Sequence, residues 1–331
     1  MTGRLVTDDR GVDAALSRFG LAVDDRQVWH LRTMNNTVLA VAKGADPAPV
    51  GVLRVHRVGG RRPAAIRSEL ELLDYLGEHV PSPVLVPRPW RDRDGNYVVE
   101  IAGTCYSVLD WVPGEPLKPD SGLTIDAASV LGRALGTIHT AADGWDQRLA
   151  PITWDAETLF TRANPGLMGT DPGRLASLFG RAGRDLFAEV EARTRAVFDR
   201  VQDWGVIHAD FILGNCNWSV DDDGQHTVGV LDFDDFGVGP RLFDLGAVLG
   251  NLADYPDSWP SLGLAFLDGY RAAHRLPATA EQDLPVLMAA RHVSQCLWVI
   301  GHAADQGPEW VNLHLRARME MARDCLAARI A

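Results

Sequence analysis

Two stretches decide how this chain folds: Val206-Ile207-His208-Ala209-Asp210-Phe211-Ile212-Leu213-Gly214-Asn215 and Val228-Gly229-Val230-Leu231-Asp232-Phe233-Asp234-Asp235. Each contains a short apolar run rich in β-branched residues, which predicts a strand. The first run opens into a loop carrying His-x-Asp, with an asparagine five residues after the aspartate. The second run ends on an aspartate. Between them lies Asp221-Asp222-Asp223-Gly224, whose composition predicts a turn. The order is therefore strand, loop, hairpin, strand, and such a hairpin is expected to bring Asn215 and Asp232 side by side. An amide oxygen and a carboxylate are hard donors of the kind magnesium takes, with water and phosphate oxygens completing its shell. Asp210, on the same loop, is suited to orient a hydroxyl and to accept its proton late, because a carboxylate is a weak base at neutral pH. Phosphoryl transfer depends on positioning and charge neutralisation of this sort. Taken singly, each piece has a plainer reading: His-x-Asp as a turn or cap, Asp232 as the cap of a strand end. Their order carries the chemistry.

Upstream, residues 11–20 read as a short helix with Ala15, Leu16 and Phe19 on one face. Segments 27–32, 37–43 and 50–56 read as three antiparallel strands, separated by turn chemistry. Residues 63–79 predict a helix, with Pro63 in its first turn and Ile66, Leu70, Leu73 and Leu76 at helical spacing. Asp94-Gly95 predicts a hairpin turn between 90–93 and 97–101, and 105–112 a further strand ended by Pro113-Gly114. Downstream the periodicity turns helical, over 124–141, 174–202, 243–253, 260–274, 280–304 and 308–329. The expected class is α+β, a protein-kinase-like two-lobed fold. A small antiparallel β-sheet lobe with one long helix, 1–111, leads into a larger, mostly helical lobe, 112–331.

With 331 residues, 46% of them hydrophobic, the chain can bury a sizeable core and lacks the composition of a disordered protein. A net charge of −12 argues against a nucleic-acid partner, and the basic run Arg54 to Arg62 is short. The acidic excess is compatible with a cationic substrate, and with simple solubility. The four cysteines, Cys105, Cys216, Cys296 and Cys325, are far apart, which predicts reduced thiols rather than a disulfide framework or a zinc site. The first residues carry acids and no apolar core, unlike a signal peptide. No run of about 18 uncharged apolar residues is evident. The expectation is a cytoplasmic protein with no membrane partner.

The His-x-Asp and Asp-Phe-Asp segments resemble the catalytic and metal loops of the aminoglycoside-phosphotransferase and choline-kinase superfamily. The nearest branch holds bacterial stress-response Ser/Thr kinases and homoserine-kinase-like proteins. The resemblance implies an ATP-dependent kinase, with Asp210 as catalytic base, Asn215 and Asp232 as ligands of Mg2+, and His208 bracing the loop. Gly239-Pro240-Arg241-Leu242-Phe243-Asp244-Leu245-Gly246 resembles the family's G-P-x-x-x-D-L-A, with Asp244 bonding the loop backbone or capping the next helix. Two departures stand out. The family's common H-G-D is His208-Ala209-Asp210 here, and Ile212 occupies a position that often holds a second histidine.

Less specifically, Arg32-Thr33-Met34-Asn35-Asn36-Thr37-Val38 resembles the family's phosphate-covering hairpin, which puts Asn36 near the nucleotide. Arg54 stands where protein kinases carry a phosphate-binding lysine, and could pair bidentately with phosphates. Glu69 is its expected ion-pair partner, with Glu71 a rival by register. The strand 107–112 resembles the one that meets adenine, through the carbonyl of Asp110 and the N–H of Val112. His139 is expected as a core histidine. Trp154, Asp155, Arg291 and Trp298 are candidates for the acceptor side, Arg291, Gln295 and Trp298 falling on one side of an otherwise apolar helix, and the irregular segment 151–173 is a candidate cover. The expected partners are ATP and a small, hydroxyl-bearing acceptor, with or without an amine. A Ser/Thr protein kinase, a catalytically idle nucleotide-binding module and a metal-dependent hydrolase are the alternatives.

Overall fold

The structure is a computed structural model that describes residues 6, 9–117, 123–171, 173–220, 226–253 and 259–327; the side chains of 173–179 are not described. The chain forms two compact units, Met1–Glu115 with Asn217–Asp234, and Pro116–Cys216 with Asp235–Ala331. The sequence places one division after residue 111; by compactness, residues 217–234 group with the first unit. The expected turn at 221–224 lies outside the described residues.

The first unit opens with α1 (Arg10–Arg18), whose N-terminus is capped by the Asp9 carboxylate accepting from the N–H groups of Gly11 and Val12. Strands β1 (Arg26–Thr33), β2 (Asn36–Lys43) and β3 (Pro49–His56) lie within a residue of the expected segments 27–32, 37–43 and 50–56. Helix α2 (Pro63–His79) has a proline at its start, where an N–H would have no intrahelical partner. After β4 (Val84–Leu85) come β5 (Val99–Ile101) and β6 (Thr104–Asp110). The sheet has five antiparallel strands in the order β1-β2-β3-β6-β5, rather than the three-stranded sheet read over 27–56 alone. Val12 and Leu16 of α1, with Phe19 just past its end, pack with Leu39, Leu53 and Val108 of the sheet in one buried cluster.

One hairpin differs from expectation. Gly95 does turn the chain, at φ +85, but residues 90–93 form no strand facing 97–101. The Asp92 carboxylate takes the N–H groups of Asp94 (2.9 Å) and Asn96 (2.8 Å), closing the turn on itself. Segment 88–90 bonds β6 instead, with Trp90 N–H donating to Val108 O and Asp110 N–H to Arg88 O, both at 2.8 Å. The two-residue hairpin is Ala102-Gly103 between β5 and β6, with φ +50 and +81, the left-handed pair that matches strand twist.

β7 (Glu115–Pro116) leads to the second unit, which is mainly helical: α3 (Ile125–Ala142), α4 (Ala156–Phe160), α5 (Gly173–Phe198), then β8 (Trp204–Ile207). The strands β9 (Cys216–Val220) and β10 (His226–Val230) come next along the chain but group with the first unit from Asn217 on, and β11 (Gly237–Pro240), back in the second unit, pairs antiparallel with β8. Helices α6 (Arg241–Leu252), α7 (Trp259–Arg271), α8 (Leu284–Gly301), α9 (Ala303–Gln306) and α10 (Pro308–Ala327) complete the unit. The expected helix over 174–202 is interrupted at Gly180, whose φ of +59 is not helical. Helices α3 and α7 cross closely. A Cβ on Gly132 would lie 1.9 Å from the Phe266 carbonyl oxygen, and one on Gly269 1.8 Å from that of Ser129. The segment Ala278–Gly301 holds an 18-residue window apolar enough on average to cross a membrane, although Glu281, Asp283 and Arg291 leave no uncharged run of that length. Of that window 72% is buried inside the protein, and α8 supplies core residues from Leu284 to Ile300.

Candidate active site

In the second unit, β8 delivers the chain to a loop that departs at once from extended geometry. Ala209 takes φ +63, a left-handed conformation that strains any residue with a Cβ. The loop is held by α6. The fully buried Asp244 carboxylate accepts the N–H groups of His208 and Ala209, each at 2.7 Å. Two turns along the same helix, the Asn251 side-chain oxygen accepts the Leu213 N–H at 3.0 Å. Asp244 also meets His139 Nε2 at 3.1 Å, while His139 Nδ1 meets the Tyr270 hydroxyl at 2.9 Å. Burial holds His139 below the usual histidine range despite the Asp244 carboxylate, so it is a neutral core histidine. His208 braces the loop as expected, its Nδ1 accepting the Asp210 N–H at 3.3 Å.

These restraints present the Asp210 carboxylate. Asn215 donates from Nδ2 to the Asp210 carbonyl (3.0 Å) and to Asp210 Oδ2 (2.9 Å). Two acceptors on one side of the amide orient it, so Asn215 Oδ1 is the free hard donor. Arg291 of α8 bonds Asp210 Oδ1 and the Ala209 carbonyl, the latter at 3.2 Å. Other acceptor-side candidates are committed to the fold. Trp154 donates from its indole to the Asp235 carbonyl at 2.8 Å, and Asp155 caps α4 by accepting the Thr158 N–H at 2.7 Å. Trp298 stacks near His302 (4.2 Å between centroids) and Trp310 (5.9 Å). Gln295 is half-buried, with its Oε1 unpartnered among the described residues.

In the first unit, Arg54 faces Ser107 on β6 and Val38 on β2 in register. Its Nη1 meets Glu69 Oε1 of α2 at 2.5 Å, the pairing expected from sequence, and also Asp234 Oδ1 at 3.0 Å. Arg61 joins both acids, bonding Glu69 and lying 3.4 Å from Asp234. Glu69 is wholly buried, and Asp234 and Arg54 nearly so, making a neutral set of two cations and two anions. Burial alone would lower the Arg54 value, but the Glu69, Asp234 and Asp232 carboxylates hold it above its ordinary one. Burial would raise Asp234, and Arg54 and Arg61 keep it below the usual carboxylate range. Sequence reasoning missed Arg61 and Asp234. The only available signals were the Arg61-Arg62 pair and the second acid of Asp-Phe-Asp.

Asp232 itself sits at φ +66, directing its carboxylate toward the β1–β2 hairpin. There Arg32 donates to Asp232 Oδ2 at 2.7 Å, and Asn36 donates from Nδ2 to Asp234 Oδ2 at 2.6 Å. Asp110 is held by the Trp90 indole N–H at 2.6 Å. Val112 is buried. Its carbonyl accepts from Asn217 Nδ2 at 3.1 Å, while its N–H has no partner among the described residues.

Residues 35–281 match the phosphotransferase enzyme family, a span that holds Asn36, Arg54, Glu69, Asp210, Asn215 and Asp232 but not Arg32 or Arg291. An uncharacterized protein of Deinococcus radiodurans is 27% identical over 278 residues, spanning 78% of this chain and 72% of that protein. A microcompartment-associated aminopropanol kinase shares the fold at 24% identity, with a TM-score of 0.73 over 96% of this chain and 94% of its own. An amicoumacin kinase, solved in complex with AMP-PNP, Ca2+ and Ami, does so at 19% identity, again with a TM-score of 0.73 over 96% and 94%. The fold is protein-kinase-like, and the chain belongs to the phosphotransferase enzyme family.

Proposed function

We propose that this phosphotransferase moves the γ-phosphate of ATP to a hydroxyl of a small molecule. The observation that carries the reading is the Asp210 carboxylate, fixed by Asn215 and Arg291 on a loop whose backbone is tied to buried Asp244. The acceptor oxygen attacks the γ-phosphorus, and a new P–O bond forms as the bond to the β,γ-bridging oxygen breaks. That electron pair leaves with ADP. The acceptor proton passes late to Asp210, whose main contribution is orientation.

Asn215 Oδ1 and the Asp232 carboxylate are hard oxygen donors that suit Mg2+. When bound, the ion would neutralise charge on the phosphates. Asn36 of the β1–β2 hairpin and Arg54 are assigned to the phosphates, with Glu69 orienting Arg54. Because Arg54 Nη1 already serves two carboxylates, phosphate contact would fall to its other nitrogens. The Asp110 carbonyl and the unpaired Val112 N–H are assigned to adenine. Likeness to an aminopropanol kinase and a net charge of −12 support an amine-bearing alcohol as acceptor.

The test separates base from metal ligand. Asp210→Asn is expected to abolish most turnover while Mg–ATP affinity stays within about twofold of the parent, and Asp232→Asn to lose both turnover and magnesium-dependent affinity. ATP affinity measured with and without magnesium reads this out. The reverse pattern, binding lost in Asp210→Asn and kept with activity in Asp232→Asn, would overturn the role assignment. A turnover screen over amino alcohols, amino sugars, hydroxy amino acids and protein substrates identifies the acceptor.

A further inference from the structure

Helix α8 buries almost everything it carries, and Arg291 is its single arginine or lysine among 18 residues. A guanidinium inside a core helix is costly unless it is paired. Here the Arg291 side chain is 12% exposed and that of its partner Asp210 22%, so the pair is not a solvated surface bridge. The fork is divided between two acceptors, the Ala209 carbonyl oxygen and Asp210 Oδ1.

Resting on the reading of Asp210 as the group that orients the acceptor, we propose that Arg291 is the positioning residue of that carboxylate. The loop backbone is already tied down without it: Asp244 holds the N–H groups of His208 and Ala209, Asn251 that of Leu213, and His208 that of Asp210 itself. Arg291 adds a restraint on the reacting side chain. Asn215 holds Oδ2 and Arg291 holds Oδ1, so the carboxylate plane is fixed from both oxygens. Each oxygen accepts more than one hydrogen bond, which leaves capacity for an incoming hydroxyl. With Arg291 removed, one restraint remains and the carboxylate can rotate about its side-chain torsions. A displacement of about 1 Å at a reacting group can cost on the order of 100-fold in rate. The divided fork also explains arginine over lysine, since an ammonium is a point donor on a flexible stem.

The experiment uses the full chain and Mg–ATP with water as the acceptor, so it needs no identified substrate. Water oxygen attacks the γ-phosphorus, its proton goes to Asp210, and ADP and phosphate are released. Arg291→Met keeps the apolar stem, and Arg291→Lys keeps the charge. Arg291→Met is expected to lower kcat by about 100-fold with KM for ATP within about twofold, and Arg291→Lys to recover about tenfold of that loss. In an Asp210→Asn background Arg291→Met should cost less than about threefold more, because a residue acting through another shows no independent effect. An equal loss in both backgrounds, or an unchanged kcat in Arg291→Met while Asp210→Asn collapses, overturns this inference and leaves the proposed function standing. A parent that neither binds nor turns over Mg–ATP overturns both.

Discussion

Ala209 shows how much a single backbone angle demands. At φ +63 and 2% exposure its Cβ gains little and opposes the left-handed conformation. That conformation costs an L-residue roughly 1–2 kcal/mol, against roughly 0.5–1 kcal/mol for the extra freedom glycine loses on folding. Two charge-assisted bonds from Asp244 keep the loop in place regardless. Ala209→Gly is therefore expected to stabilise the protein by up to about 1 kcal/mol and to leave Mg–ATP binding intact, as read by urea unfolding and nucleotide titration. Destabilisation would mean that the Ala209 methyl contributes packing outweighing the strain. The same angle gives the departure from His-Gly-Asp in this sequence a physical meaning: glycine suits the position, and alanine is tolerated because Asp244 fixes the backbone.

Among the elements, α6 and the α3–α7 crossing matter most. Asp244 and Asn251 lie seven residues apart on α6, near two full turns, so both reach the same loop. Asp244 could be read from Gly-Pro-x-x-x-Asp, whereas Asn251 has no motif around it. At the crossing, Gly269 lets α7 approach the backbone of α3, and a Cβ there would fall 1.8 Å from the Ser129 oxygen. The neighbour is backbone and cannot rotate away. Gly269→Ala is expected to cost about 2–4 kcal/mol, with the helices forced apart. Thermal and urea unfolding measure it, and a loss below about 0.5 kcal/mol would show that the two helices slide freely.

For the molecule as a whole, buried histidines set a limit at acid pH. Burial, with the Arg54 cation adding to it, holds His56 down at about 4, and burial with the Arg318 and Arg291 cations holds His292 at about 3. In the unfolded chain each takes up its proton near pH ~6.5. Between those values the unfolded chain binds more protons, so stability is fully present above pH ~6.5 and declines as pH falls. For His56 the gap is worth about 3 kcal/mol by pH 4, at roughly 1.4 kcal/mol per pH unit. Asp203 acts in the same sense lower down: burial opposes its ionisation, but His274 and Arg241 hold it at about 2, so its contribution is lost only below pH ~4. The urea midpoint should therefore fall between pH 7.5 and 5, and fall less in His56→Gln. An equal drop in that variant would exclude His56 as a source.

What the sequence determined by itself was local. Strands β1 to β3 lie within a residue of where the apolar, β-branched runs and the turns between them put them, and α2 runs over 63–79 as its leucine spacing and leading proline require. The ordered set Asp210, Asn215 and Asp232, to which the proposed roles are given, stands out in the sequence because its members lie close along the chain. The tertiary structure decided which distant groups meet. Arg54 finds Asp234 across 180 positions, Arg291 finds Asp210 across 81, and segment 88–90 joins β6 instead of pairing with 97–101. Periodicity and turn chemistry act over a few residues and are written in residue type. A buried ion pair depends on the path of the whole chain, since a buried arginine is costly unless that path brings carboxylates within its reach.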